Sequence, residues 1–157
     1  MNEIILLLTR EQGGQEIVKI AYKDYVNILS NIAKTLPIDE ESKKVFEDKI
    51  KKYVREIITL RIFKILKNEK IPKNTLDFEI LELIDKIIKI YEDILCGKIV
   101  LDSKSRVSVK VLRDYNLDSA LAREFKIPQK LKKEEILIMP LRIAIPLIAL
   151  NIVEVRF

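Results

Sequence analysis

The residue types that carry most enzyme chemistry are scarce in this sequence. It contains no His, which removes imidazole as a general base, proton shuttle or metal ligand. Cys96 is the single cysteine, so a disulfide within the chain and a CxxC pair are excluded. Because no partner base can be named, we interpret Cys96 as a buried, soft hydrophobic side chain. A lone thiol also fits a reducing compartment.

Two further patterns have residue types that bind ligands, but neither predicts a site. Gly13 and Gly14 form the only glycine pair, and no Lys follows them in the spacing that a phosphate-binding loop needs. Glu79, Glu82 and Asp85 lie on a predicted helix, where such acids usually form the solvated face rather than a cation site. The sequence therefore predicts no catalytic residue, no cofactor and no metal.

Positive charge is concentrated in one stretch of the chain. Residues 98–133 contain 10 Lys and Arg against 4 Asp and Glu, whereas residues 1–97 contain 17 of each. Such asymmetry often marks a surface that meets an anionic partner. The interleaved aromatic residues are few for a platform that stacks single-stranded bases, so solvated Lys or an acidic protein partner is the preferred interpretation and nucleic acid the alternative. The candidate contacts are Arg113, Lys126, Lys130, Lys132 and Lys133.

Arg61 is the most informative single residue. It lies in the apolar run IITLRIFKIL, and Lys64 follows one helical turn later. An Arg in such a run either extends its guanidinium to water or pairs with a carboxylate, on this chain or on another.

The elements that must position these residues are helical in the first part of the chain. With 157 residues, 48% of them hydrophobic, the chain can bury a core, and its three glycines disfavour an all-β fold. Apolar spacing of three and four predicts helices over 18–36, 40–68 and from 74 or 75 to Gly97. Residues 1–16 fit a short helix or a hairpin, and we prefer the helix. These helices carry more apolar surface than a small bundle hides, which indicates partner subunits.

After Gly97 the hydrophobic period changes. Residues 98–106 read as a polar linker, and alternation at Val107, Val109 and Val111 predicts a strand. We expect a loop over 114–128, a strand in EEILIMP, a short helix started by Pro140 and interrupted by Pro146, and a terminal strand after Asn151. Arg142 and the prolines argue that the apolar run 136–153 is core rather than a membrane span, and no targeting segment is recognised.

The predicted fold is therefore mainly α, in two domains. A helical bundle occupies residues 1–97 and forms the core of an oligomer. A linker over residues 98–106 joins it to a small β-rich domain over residues 107–157.

Two loose motifs and the order of the two domains carry a resemblance to a known family. One is an L-R-x-x-K-I-L stretch on a long helix, from Leu60 to Leu66, and the other places Pro140, Ala144 and Ile148 near the C-terminus. With a helical domain followed by a small β-rich domain, the chain resembles a subunit of the GINS replication complex in its archaeal form, of the A-then-B type. The resemblance covers about residues 40–157. Asn151 stands where family members commonly have Gly, and Asn tolerates the same left-handed backbone.

The resemblance implies a non-catalytic scaffold in the cytoplasm, associated with the nucleoid. Two copies of this chain and two of a paralogous subunit would form a tetramer that bridges the replicative helicase ring and a RecJ-like protein, with at most weak contact to DNA. The expected subunit interface lies on the apolar faces of the two long helices. Its residues are Ile57, Leu60, Arg61, Lys64, Ile84, Ile87 and Tyr91.

Two other functions are compatible with the residues. One is a stand-alone basic DNA-binding protein that uses residues 98–133. The other is an enzyme that works with carboxylates and Lys alone, although no converging pair of acids is identifiable.

Overall fold

The computed structural model describes residues 2–156, without the side chain of Asn2. The chain is 56% helical, with six helices and a small antiparallel sheet of three strands among the described residues, which confirms the predicted combination of a helical part and a small β-rich part. The helices are α1 Asn2–Gly13, α2 Tyr22–Thr35, α3 Glu40–Leu66, α4 Phe78–Leu95, α5 Ser119–Phe125 and α6 Leu141–Ala149. The strands are β1 Arg106–Val111, β2 Tyr115–Asn116, β3 Lys130–Leu131, β4 Ile136–Pro140 and β5 Val153–Val155.

The chain divides into two compact units, Met1–Asp85 and Lys86–Phe157. The sequence predicts the end of the helical domain at Gly97, whereas the division falls inside α4. The reason is that Ile90 is buried in the core of the second unit and Ile94 packs against it. Ile99 and Leu101, in the expected linker, also pack into that core, so residues 98–106 are part of the second unit.

The helical unit is built on the packing of α1 against α3. Ile4, Leu8 and Ile57 form its buried apolar cluster, and the helical alternative for the first residues is confirmed by α1. Helix α3 begins after Asp39, whose carboxylate accepts a hydrogen bond from the Ser42 amide at 2.8 Å. That bond lowers the pKa of Asp39 below its usual value, since it stabilises the ionised carboxylate.

The second unit is organised around a sheet in the order β4-β1-β5. Both pairings are antiparallel, with Val109 opposite Leu137 of β4 and opposite Val155 of β5. Val107, Val109 and Val111 are at most 1% exposed, so the predicted alternation correctly places one face of β1 in the core. Asn151 has the left-handed backbone that was expected, with φ of 54°.

The region predicted as a loop over 114–128 contains two regular elements. Strand β2 pairs with β3, and α5 is capped at its N-terminus by Asp118, whose carboxylate accepts a hydrogen bond from the Ala120 amide at 2.9 Å. Elements of two and seven residues are too short to produce a periodic hydrophobic signal. No helix among residues 2–156 combines the length and the apolar character needed to cross a membrane.

Candidate functional site

The helical unit contains a largely buried cluster of four charged side chains and one hydroxyl, which we call the ionic cluster: Glu11, Arg61, Lys64, Asp77 and Thr75. Glu11, Arg61 and Lys64 are 0%, 2% and 6% exposed. Burial of charges is unfavourable unless each is paired and hydrogen-bonded. The cluster contains two cations and two carboxylates, so each charge has a partner of opposite sign.

Arg61 connects α3 to three other parts of the helical unit. Its Nη1 donates to the Asp77 carboxylate and its Nη2 to the Val18 carbonyl. Its Nε lies 3.4 Å from Glu11 Oε2, without a hydrogen bond to any described residue. Arg61 is thus paired with carboxylates of its own chain, which decides between the two alternatives left open by the sequence.

Lys64 has a complete set of acceptors. Its Nζ donates to Glu11 Oε1 at 2.9 Å, to the Glu11 carbonyl at 2.7 Å and to the Glu16 carbonyl at 2.7 Å. An ammonium has three donors, so none is left for a ligand. The chemistry of the ionic cluster is therefore structural: it holds residues 11–20 against α3.

The start of α4 is tied into the same cluster. Thr75 Oγ1 donates to Asp77 Oδ1 at 2.8 Å and accepts from the Ile20 amide at 3.0 Å. The Leu76 amide donates to the Ile20 carbonyl at 2.8 Å. Arg61, bound to both Asp77 and Val18, is the side chain that joins these two segments to α3.

The ionic cluster corrects part of the predicted interface. Ile57, Arg61 and Lys64 are buried by residues of their own chain and so present no surface to a partner subunit. Leu60 and Ile84 are half-buried, whereas Ile87 and Tyr91 are exposed. In a single copy of the chain, only these last four retain surface for an interface.

A different face of α3 carries exposed apolar side chains. Val54, Ile58 and Leu66 are 39%, 47% and 52% exposed, and Ile62 between them is half-buried. Residues four apart lie on one side of a helix, so these four form one stripe, which we call the α3 stripe. Its spacing is visible in the sequence, but apolar residues around most of the circumference near the C-terminal end of α3 left open which side would face the unit's own core.

Helix α2 has a similar exposed side. No residue of α2 is buried. Ile28 and Ile32 pack against the cluster of α1 and α3, whereas Tyr22, Tyr25, Val26 and Leu29 are exposed. Contiguous apolar surface of this kind on a soluble domain usually marks an interaction site.

The predicted contacts for an anionic partner are all exposed on the second unit. They are spread over several of its elements, and two of them, Lys130 and Lys132, line one groove. Lys130 lies opposite Asn116 on the β2-β3 ribbon, and Lys132 lines a groove of about 390 Å³ with Tyr115 and Asp114. Lys133 donates its amide to Asp114 at 2.7 Å. Arg113 donates to the Leu150 carbonyl at 3.1 Å, and Lys126 ends α5 with a left-handed backbone.

The remaining chemical candidates give no site. Cys96 is exposed, contrary to its interpretation as a buried side chain, because it follows the last turn of α4. Among residues 2–156, no group of three or more acidic or Cys side chains is placed to hold a metal ion. That finding includes Glu79, Glu82 and Asp85.

Comparison with known proteins adds no assignment. No protein-family model, curated protein or solved structure matches this chain.

Proposed function

We propose that this chain is a non-catalytic scaffold subunit of a GINS-type DNA replication complex. It assembles with a second copy of itself and two copies of a paralogous subunit through its helical unit. The assembly bridges the replicative helicase ring and a RecJ-like protein at the fork and activates the helicase. Its place of action is the cytoplasm, at the nucleoid.

The observation that carries this proposal is the exposed apolar surface of the helical unit. The α3 stripe and the exposed side of α2 would each leave large side chains in water in a lone chain. Burial of apolar surface contributes about 25 cal/mol per Å², so a partner helix packed along either one is favoured. The buried charges of the helical unit are, by contrast, paired with one another in the ionic cluster.

The order of the two units is a second support. A helical unit precedes a small β-rich unit, as in the A-then-B subunits that the sequence resembles. Pro140 and Ala144 of the C-terminal motif lie at the junction of β4 and α6, where Ala144 is fully buried. The residues of this C-terminal motif therefore serve the packing of the second unit itself.

The proposal is tested by co-expression with a paralogue of reversed domain order. A tag on this chain should co-purify the paralogue, and the purified complex should bind the replicative helicase ring and stimulate its DNA unwinding. Failure to co-purify the paralogue contradicts the assembly, and a complex that leaves the helicase unaffected contradicts the role at the fork.

One observation favours the second candidate, a basic DNA-binding protein. Lys130 shares one face of the β2-β3 ribbon with Asn116, and Tyr115 and Lys132 line the groove beside it. Lys can neutralise phosphates and Tyr can stack on a base.

If this ribbon binds DNA, replacing Lys130, Lys132 and Lys133 together by Gln should weaken binding steeply. Three lost phosphate contacts on single-stranded DNA reduce the slope of log affinity against log salt by about 2. Fluorescence anisotropy with labelled DNA at several salt concentrations measures that slope. The matched control replaces Lys43, Lys44 and Lys49 of α3 by Gln, with an unchanged slope expected. The absence of any binding at low salt removes this candidate.

A further inference from the structure

Strand β4 forms one edge of the three-stranded sheet. The Val111 amide donates to the Glu135 carbonyl at 2.8 Å, so this residue pair is hydrogen-bonded across β1 and β4. Bonded pairs alternate with unbonded pairs along antiparallel strands. Leu137 and Met139 therefore direct their backbone groups toward β1, and Ile136 and Ile138 direct theirs away from it.

The outward backbone groups of Ile136 and Ile138 make no backbone hydrogen bond to any residue that the structure describes. Their side chains are exposed as well, by 49% and 61%. Residues two apart share one face of a strand, so both isoleucines lie on the face opposite buried Met139. This short edge thus offers two donors, two acceptors and two apolar side chains at the same place.

Natural sheets usually protect such an edge with charged residues or Pro. Here Pro140 limits the free segment at its C-terminal end, but residues 136–140 contain no charged side chain. The nearest cations on β1 are already paired. Lys110 Nζ lies 2.6 Å from Glu134 Oε2, and Arg106 Nε lies 2.7 Å from Asp102 Oδ2.

In both ion pairs the pKa of the carboxyl group is lowered. The hydrogen bond from Lys110 lowers the pKa of Glu134, and the Arg106 amide, followed by its guanidinium, lowers that of Asp102. Both carboxylates are therefore ionised near neutral pH. Because these carboxylates offset the charges of Lys110 and Arg106, two β4 edges brought together repel each other less.

We infer that the β4 edge pairs with the β4 edge of a second copy of this chain, antiparallel about a two-fold axis at Leu137. In this register Ile136 faces Ile138 of the partner copy and Ile138 faces its Ile136. Each pair exchanges two hydrogen bonds, and the four isoleucines meet on one face. Two three-stranded sheets become one sheet of six strands.

A second copy is the favoured occupant because the edge is self-complementary. An extended segment of any protein would supply hydrogen bonds, but this edge offers only two residues that can form them. A copy of itself also supplies two exposed isoleucines in matching positions and carries no charge along the paired segment. The inference is independent of the proposed function, since it concerns only the second unit.

The test is disulfide cross-linking of the full-length chain in a Cys96→Ser background. In the inferred register the two Leu137 positions form an unbonded pair with Cα atoms about 4.5 Å apart, within the range of a disulfide. A Leu137→Cys variant should form a covalent dimer under mild oxidation. Ile138→Cys should form at least about fivefold less, because those positions are diagonal neighbours, about 7–8 Å apart.

Two matched controls separate this contact from other association. Val100→Cys, at an exposed site of the same unit, should give no dimer above background even if the helical units associate. Adding Ile138→Lys to Leu137→Cys should abolish the cross-link, while adding Val100→Lys should leave it unchanged. Retained far-UV circular dichroism shows that each variant is folded.

If Leu137→Cys disturbs the fold, sedimentation equilibrium decides the question with native cysteine present and with Ile58→Lys added to every variant, so that the α3 stripe of the helical unit does not contribute to self-association. Ile138→Lys should then weaken self-association at least about tenfold relative to Val100→Lys. Equal association of those two variants overturns the inference, as does equal cross-linking at 100 and 137 or dimer formation at 138 in preference to 137. The inference is also overturned if the chain shows no pairing with a second copy and its β4 edge binds a peptide instead.

Discussion

Replacing Arg61 with Ala is expected to lower the free energy of unfolding of the helical unit by about 3–5 kcal/mol. The change leaves Glu11 and Asp77 with fewer cationic partners in a buried site, and it releases the Val18 carbonyl. Loss of one partner from a buried pair costs more than the pair itself contributes, because an uncompensated charge remains. Chemical denaturation followed by circular dichroism measures the effect.

Arg55→Ala is the matched control for this prediction. Arg55 lies on the same helix but is exposed, so its loss should change stability by less than about 0.5 kcal/mol. A local readout is hydrogen exchange, which should accelerate at the Val18 and Ile20 amides in Arg61→Ala and stay unchanged in Arg55→Ala. Equal stability of the two variants would show that the ionic cluster does not hold the helical unit together.

Replacing Ile58 with Lys is expected to weaken assembly with the paralogue at least about thirtyfold. Ile58 lies at the centre of the α3 stripe, and a Lys buried there would place an unpaired charge in an apolar interface. Replacing a residue at the centre of an apolar interface weakens the binding free energy by about 2 kcal/mol or more. This change corresponds to about a thirtyfold loss of affinity. Isothermal titration or a competition assay with labelled complex measures the change.

Thr59→Lys tests whether position on the helix matters. It introduces the same charge one residue along, at an exposed site that lines a groove of about 720 Å³ on the helical unit with Arg55 and Lys52. Residues one apart face different sides of a helix, so assembly should be unchanged. Both variants should keep the stability of the unmodified chain, since Ile58 is 47% exposed. A complex that tolerates Ile58→Lys would exclude the α3 stripe from the interface.

Local patterns in the sequence predict the elements with strong periodicity. The acids that follow Asp39 and the apolar spacing behind them place α3 within two residues of its observed end. Alternation from Val107 to Val111 places β1 and its buried face. These elements follow from propensity and burial along a continuous segment, which a sequence displays directly.

Contacts between distant segments are what the sequence leaves open. The composition around Arg61 demands a carboxylate or water, but Glu11 is reached only through the packing of α1 on α3. The same packing buries Ile57, Arg61 and Lys64, which the sequence placed at a subunit interface. Since helix α3 is apolar around most of its circumference at its C-terminal end, periodicity alone cannot tell the internal side from the external one.

The molar mass of the full-length chain, alone and co-expressed with a paralogue of reversed domain order, tests the central claim most directly. Light scattering coupled to size-exclusion chromatography gives that mass. The scaffold account predicts a stable complex with the mass of two copies of each chain, and self-association or poor solubility of this chain alone. A monodisperse monomer that ignores the paralogue would contradict it.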